Sequence, residues 1–245
     1  SDTSTLQLTM VAVNDPPVDG DETNSVTEDS TLTVADGAAG DLLNNATDID
    51  GGALSITGYS IAGISGTQAV GSPVGIPGVG SITINANGSY SFVPAANYTG
   101  AIPLVTYTVS DGNGGSDTST LQLTMVAVND PPVAVTDNYT MAEDGTPITL
   151  APLTGDSDID GNPLTVTSIN GTTLTPGVAQ TIPVTNGTVN VSAAGVITFT
   201  PAANFNGTVS FPYVISDGQG GTATANQVIT VTAVNDPPVD GNETN

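Results

Sequence analysis

Every side chain in this sequence that carries charge at neutral pH carries a negative one. There are 24 Asp and Glu residues, and no Lys, Arg or His. The carboxylates are grouped, and the groups recur. Asp48-Ile49-Asp50-Gly51 returns as Asp158-Ile159-Asp160-Gly161, Ser110-Asp111-Gly112 as Ser216-Asp217-Gly218, and Glu28-Asp29 as Glu143-Asp144. The string Asn-Asp-Pro-Pro-Val begins at Asn14, at Asn129 and at Asn235, with spacings of 115 and 106 residues. No acid lies between Asp50 and Asp111, or between Asp160 and Asp217.

Grouped carboxylates repel one another. Two unit charges about 4 Å apart cost roughly 4 kcal/mol at an effective dielectric near 20. No basic side chain offsets this, so the counter-charge has to come from a cation in solution. The donors on offer are carboxylate, amide and carbonyl oxygens. Ca²⁺ accepts six to eight such hard ligands in flexible geometry. Mg²⁺ prefers fewer protein ligands, and Zn²⁺ wants His or Cys. The candidate Ca²⁺ ligands are Asn14, Asp15, Glu28, Asp48, Asp50, Asp111, Asn129, Asp130, Glu143, Asp158, Asp160, Asp217, Asn235 and Asp236. A solvated acidic loop would explain a lone Asp-X-Asp-Gly. Recurrence of the whole set at matching places favours a cation. Enzyme activity is not expected, because clustered acids without His or Cys lack a base–nucleophile arrangement.

The segments between the acids are the elements that must position them. The run Leu121-Gln122-Leu123-Thr124-Met125-Val126 places apolar residues at every second position, the pattern of a half-buried strand. Two prolines then end it, because neither has an amide to donate. Asn87-Gly88 predicts a hairpin turn between Ser81–Asn85 and Ser89–Val93. Its counterpart is Thr188–Val191 and Val196–Phe199, turning at Gly195. Seven or so short strands in about 100 residues predict an all-β fold: tandem Greek-key sandwich modules joined end to end by short acidic linkers. The expected modules are residues 16–130 and 131–236. Residues 1–15 read as the last strand of a preceding module, because residues 1–18 repeat residues 116–133 letter for letter. Residues 237–245 read as the first strand of a following one. On a sandwich of this kind, the Asp48–Asp50 loop, Asp111 and the preceding joint share one end, and Glu28 lies at the other. A joint such as Asn129-Asp130 would then gather Glu28 from one module and Asp158, Asp160 and Asp217 from the next.

Composition bounds the partners. A formal charge of −24 leaves nothing to neutralise phosphate, so nucleic acid is not expected. An anionic membrane surface is disfavoured for the same reason, and no apolar run is long enough to span a bilayer. With no Cys there is neither disulfide nor thiolate metal site. Phe92, Tyr107, Phe199 and Tyr213 fit core positions better than a sugar-stacking surface, since they align between the modules. The Asn-X-Ser/Thr sequons at Asn97 and Asn206 are expected by chance in so Asn- and Thr-rich a chain.

Glu in the first turn, Asp-X-Asp-Gly, Ser-Asp-Gly and a closing Asn-Asp-Pro-Pro together resemble the cadherin repeat, in which the corresponding residues bind Ca²⁺ between domains. Val-Asn-Asp-Pro-Pro-Val, Asp-X-Asp-Gly and Pro201-Ala202-Ala203-Asn204-Phe205 are more similar to the cadherin-like and immunoglobulin-like tandem repeats of large bacterial surface adhesins of the type I-secreted, RTX kind. The chain departs from cadherins at Pro94-Ala95-Ala96-Asn97, where their second acidic motif is missing. The resemblance implies an extracellular, cell-surface extender stiffened by Ca²⁺ at its joints, serving adhesion or biofilm formation. Its partners would be neighbouring modules of the same chain and other copies of it. The alternatives are a filament or sheath subunit assembled by strand addition, and a module that itself binds carbohydrate.

Overall fold

The computed structural model describes residues 2–236, and these contain strands and no helix. The chain parts into two compact units between Val128 and Asn129. The first unit contains β1 (Glu22–Thr27), β2 (Leu32–Val34), β3 (Ser55–Ile61), β4 (Val74–Ile76), β5 (Gly80–Ile84), β6 (Tyr90–Pro94), β7 (Val105–Ser110) and β8 (Ser116–Val126). They form two four-stranded sheets, ordered β1-β8-β7-β3 and β2-β6-β5-β4. The second unit contains β9 (Asp137–Ala142), β10 (Ile148–Leu150), β11 (Thr165–Ile169), β12 (Thr172–Thr173), β13 (Gln180–Val184), β14 (Gly187–Val191), β15 (Ile197–Pro201), β16 (Gly207–Ser216) and β17 (Thr222–Thr232). Its sheets are ordered β12-β11-β16-β17-β9 and β10-β15-β14-β13. Successive strands switch sheets repeatedly, as in a Greek key.

Alternation builds each core. Along β7 every second residue, Val105, Tyr107 and Val109, is buried. The facing sheet supplies Ile82, Ile84, Tyr90 and Phe92 to the same cluster. In the second unit Tyr213 and Phe211 of β16 pack with Phe199 of β15, and the two Phe rings lie 6.1 Å apart. The four aromatics at issue are at most 1% exposed or fully buried, which removes them from any sugar-stacking surface.

The described structure also contains features that alternation did not reveal. β4, β12 and β13 were not anticipated. β1 runs parallel to β8, in register Glu22↔Leu121, and β9 parallel to β17, in register Asp137↔Gln227. Residues 2–13, expected as a strand, form none. The identical residues of β8 are held between β1 and β7, whereas the copy near the start of the chain has no strand beside it to accept its amides. The expected strand at residues 237–245 lies outside the described residues.

The double prolines set the position of the acidic loops. Hydrogen bonding resumes at the first residue after them that has an amide. Val18 exchanges bonds of 2.8 and 2.9 Å with Thr47, and Val133 bonds of 2.7 and 3.0 Å with Ser157. Each pair ties the segment after a joint to the residue just before an Asp-X-Asp-Gly loop.

Candidate metal centre

In the first unit three separate stretches meet at the end where β8 begins. The loop from β7 to β8 wraps around the carboxylate of Asp111, which accepts from the amides of Asn113 at 2.7 Å and Gly115 at 3.0 Å. The amide nitrogen of Asn14 donates to the other oxygen of Asp111 at 2.6 Å. The amide of Asp15 donates to Asp50 at 2.7 Å, and that of Asp50 to Asp48 at 2.8 Å.

The second unit repeats this bond for bond. Asp217 accepts from Gln219 at 2.7 Å, Gly221 at 3.0 Å and the side chain of Asn129 at 2.7 Å. Asp130 donates to Asp160 at 2.8 Å, and Asp160 to Asp158 at 3.0 Å. Asn129 and Asp130 are thus anchored in the second unit.

These bonds fix charge as well as position. The side-chain amide of Asn14, with backbone amides behind it, holds Asp111 below the usual carboxylate range, and Asn129 does the same for Asp217. Both are therefore ionised acceptors at neutral pH. The second oxygens of Asp48 and Asp158 are enclosed and have no hydrogen-bond donor. Leaving a buried carboxylate oxygen without a donor is costly, and the chain contains no cationic side chain to supply one. An oxygen-seeking cation fits this donor set, and a soft one does not.

Glycine makes the arrangement possible. A Cβ at Gly115 would meet the carboxylate of Asp111 and come within 2.8 Å of the Cα of Pro16. At Gly221 it would meet Asp217 and come within 2.9 Å of the Cα of Pro131. Neither glycine was among the sequence candidates. Their signal was the recurrence of Gly-X-Gly-Gly after Ser-Asp at both sites.

The remaining candidates lie at the opposite end of each sandwich, separated by the length of the last strand, roughly 30 Å. Glu28 is 2% exposed; one of its oxygens accepts from the amide of Val128 at 3.0 Å, and the other is buried without a donor. Glu143 accepts from the amide of Val234 at 2.8 Å and from Asn206 at 3.2 Å. The Pro-Ala-Ala-Asn loops join this end through their backbone, Asn97 donating to Asp29 at 2.8 Å and Asn204 to Asp144 at 3.2 Å. Asn235 donates to the carbonyl of Asp236 at 3.3 Å, and both are exposed. No acidic loop meets this pair among the described residues.

Residues 14–127 match the bacterial cadherin-like domain family, and residues 129–232 match the bacterial Ig domain family. No curated protein sequence matches the chain. Among solved structures, the chain is similar to the protocadherin GammaB4 extracellular domain at 15% identity and a TM-score of 0.43, over 89% of this chain and 34% of that one. It is similar to EC22-24 of mouse cadherin-23 at 14% identity and a TM-score of 0.42, over 90% of this chain and 65% of that one. The titin domains z1z2, solved in complex with telethonin, are similar at 16% identity and a TM-score of 0.31, over 91% and 100%. The chain thus spans about a third of the protocadherin.

Proposed function

We propose that this tandem pair of cadherin-like and immunoglobulin-like repeats is an extender segment of a bacterial surface adhesin, made rigid by Ca²⁺ at its joints. One observation carries the reading. The same constellation of carboxylate oxygens is built at one end of both units, and each contains an enclosed carboxylate oxygen without a donor. In the proposed joint, Asp130, Asp158, Asp160 and Asp217 hold the ion from the second unit and Glu28 from the first. Glu28 is tied to the amide of Val128, and Asn129, the next residue, is tied to Asp217. The bound ion would supply the charge that lets these carboxylates share one site. The segment's role is mechanical, holding an adhesive domain away from the cell and so supporting adhesion or biofilm formation.

Calcium titration calorimetry tests this. The wild-type chain is expected to bind Ca²⁺ more tightly than Mg²⁺ and to melt at a higher temperature with it, because a ligand present at about a hundred times its Kd stabilises by about 2.7 kcal/mol. Changing Asp158 and Asp160 together to Asn should leave the fold intact and remove most of that gain at the joint. Equal stabilisation by Ca²⁺, Mg²⁺ and matched monovalent salt would identify plain charge screening instead.

A second reading, assembly by strand addition, is favoured by residues 2–13. They repeat the sequence of β8, and Leu6, Leu8 and Met10 are at least 83% exposed. This segment could complete the sheet of another copy, and concentration-dependent association lost in Leu6→Asp/Leu8→Asp would support that reading over the first.

A further inference from the structure

We propose that an apolar cleft in the second unit takes up residues 2–13 of another copy of this chain. The proposal rests on the second reading above, association through that segment, and names the surface that receives it. A cleft of about 710 Å³ opens between the two sheets of the second unit. Leu150 of β10 and Ile197 of β15 line it from one sheet and Val166 of β11 from the other, with Pro152, Leu164 and Leu174 from the connecting loops. Its size and apolar lining are those of a binding site. Leu153 and Val196 also line it and remain exposed. β10 is the outermost strand of its sheet, paired with β15 alone among the described strands.

The first unit shows the same place filled. Ile197 has its counterpart in Tyr90, since the pairs Val191↔Ile197 and Leu150↔Ile197 match Ile84↔Tyr90 and Val34↔Tyr90. Tyr90 is buried in the core of the first unit. The connection from the second strand to the Asp-X-Asp-Gly loop comprises residues 35–47 in the first unit and residues 151–157 in the second, six fewer. The longer connection buries Leu42 completely, and Ala38 and Leu43 pack beside it. The second unit lacks both the ring and the extra chain, and its apolar side chains stay open to solvent.

Charge selects the occupant. Two copies with a formal charge of −24 each repel one another, so close approach is least opposed where neither carries a carboxylate. No residue lining the cleft is acidic, and residues 3–13 contain no acid either. That segment is exposed along its length. It places Leu6, Leu8 and Met10 at every second residue, on one face when extended. The same letters in β8 bury Leu121 and Leu123 in the core of the first unit, so this sequence suits a sandwich interior. Laid along β10, the segment gains backbone partners from that open edge and sinks its leucines into the cleft, as in strand addition.

Sedimentation velocity of the full chain over a range of concentrations tests this, at about 0.15 M salt, where exposed charges more than about 8 Å apart are largely screened. Wild type should self-associate reversibly. Leu153→Asp, which charges the cleft, and Leu6→Asp/Leu8→Asp, which charges the segment, should each weaken association at least about tenfold. Ser65→Asp, the same added charge at an exposed place in the first unit, should leave it unchanged. Ile197→Tyr restores the residue of the first unit and should weaken association by filling the cleft, with no charge added. If Ile197→Tyr does not fold, Leu153→Asp at its exposed position still decides. Association lost in Leu6→Asp/Leu8→Asp but unchanged in Leu153→Asp and Ile197→Tyr would overturn the cleft and leave strand addition at another edge. A wild type that stays monomeric throughout would overturn both. An anilinonaphthalene dye bound by such a monomer and lost in Leu153→Asp would give the cleft to a small apolar molecule instead.

Discussion

At the scale of single residues, backbone amides fix where the proposed ligands Asp111 and Asp217 sit. Asp111 and Asp217 are pinned by the loops that carry them, and only glycine at positions 115 and 221 leaves room for that. Gly221→Ala is expected to displace the Asp217 carboxylate or Pro131, costing about 1–3 kcal/mol as an overpacked site does and weakening Ca²⁺ binding, which denaturation with and without Ca²⁺ would measure. Gly218→Ala, where a Cβ has nothing near it but φ is 77°, should cost stability without selectively weakening the ion. Glu22 makes a second prediction. Burial pushes it up from its ordinary 4.5 to about 7, against the Tyr107 hydrogen bond, which lowers it. A folded-state value above the unfolded one means that its protonated form is favoured by folding. The contribution is complete below pH 4.5 and is lost as pH rises through about 7. In chelator, melting of the first unit should therefore fall across that window, and Glu22→Gln should flatten the fall. The recurring acids were legible in the sequence because nothing else in the chain is charged. The donor role of the Asn14 and Asn129 side chains was not, since an amide reads equally well as a ligand.

At the scale of elements, the chain contains its own control. Leu6 and Leu121 occupy the same place in identical sequences, yet Leu6 is 85% exposed and Leu121 fully buried. Alternation marked both as strand; hydrogen-bonding neighbours decide which becomes one. Leu121→Ala should cost about 2–5 kcal/mol, and Leu6→Ala less than about 0.5 kcal/mol, in urea denaturation of the full chain. Similar costs for both would mean that residues 2–13 are packed in solution. The Asn87-Gly88 hairpin was readable because its turn and its flanking alternation are both local. The parallel pairing of β1 with β8 was not, because it joins residues about 100 apart and depends on which sheet β2 enters. β12, two residues long, carries no periodicity to read.

At the scale of the whole molecule, two repeats could be recognised from their shared punctuation; residues 14–127 and 129–232 match two different bacterial domain families. What one sequence does not encode locally is whether Glu28 of one unit and the Asp158–Asp160 loop of the next serve the same ion. They are 130 residues apart in the chain, on either side of the Asn129-Asp130 joint. Small-angle scattering of the chain in Ca²⁺ and in chelator, for wild type and for Glu28→Gln, tests that link most directly. The account predicts that Ca²⁺ lengthens and sharpens the wild-type distance distribution, that chelator broadens it, and that Glu28→Gln stays broad even in saturating Ca²⁺. A wild-type profile indifferent to chelator, or a Glu28→Gln profile that sharpens with Ca²⁺ as fully as wild type, would contradict it.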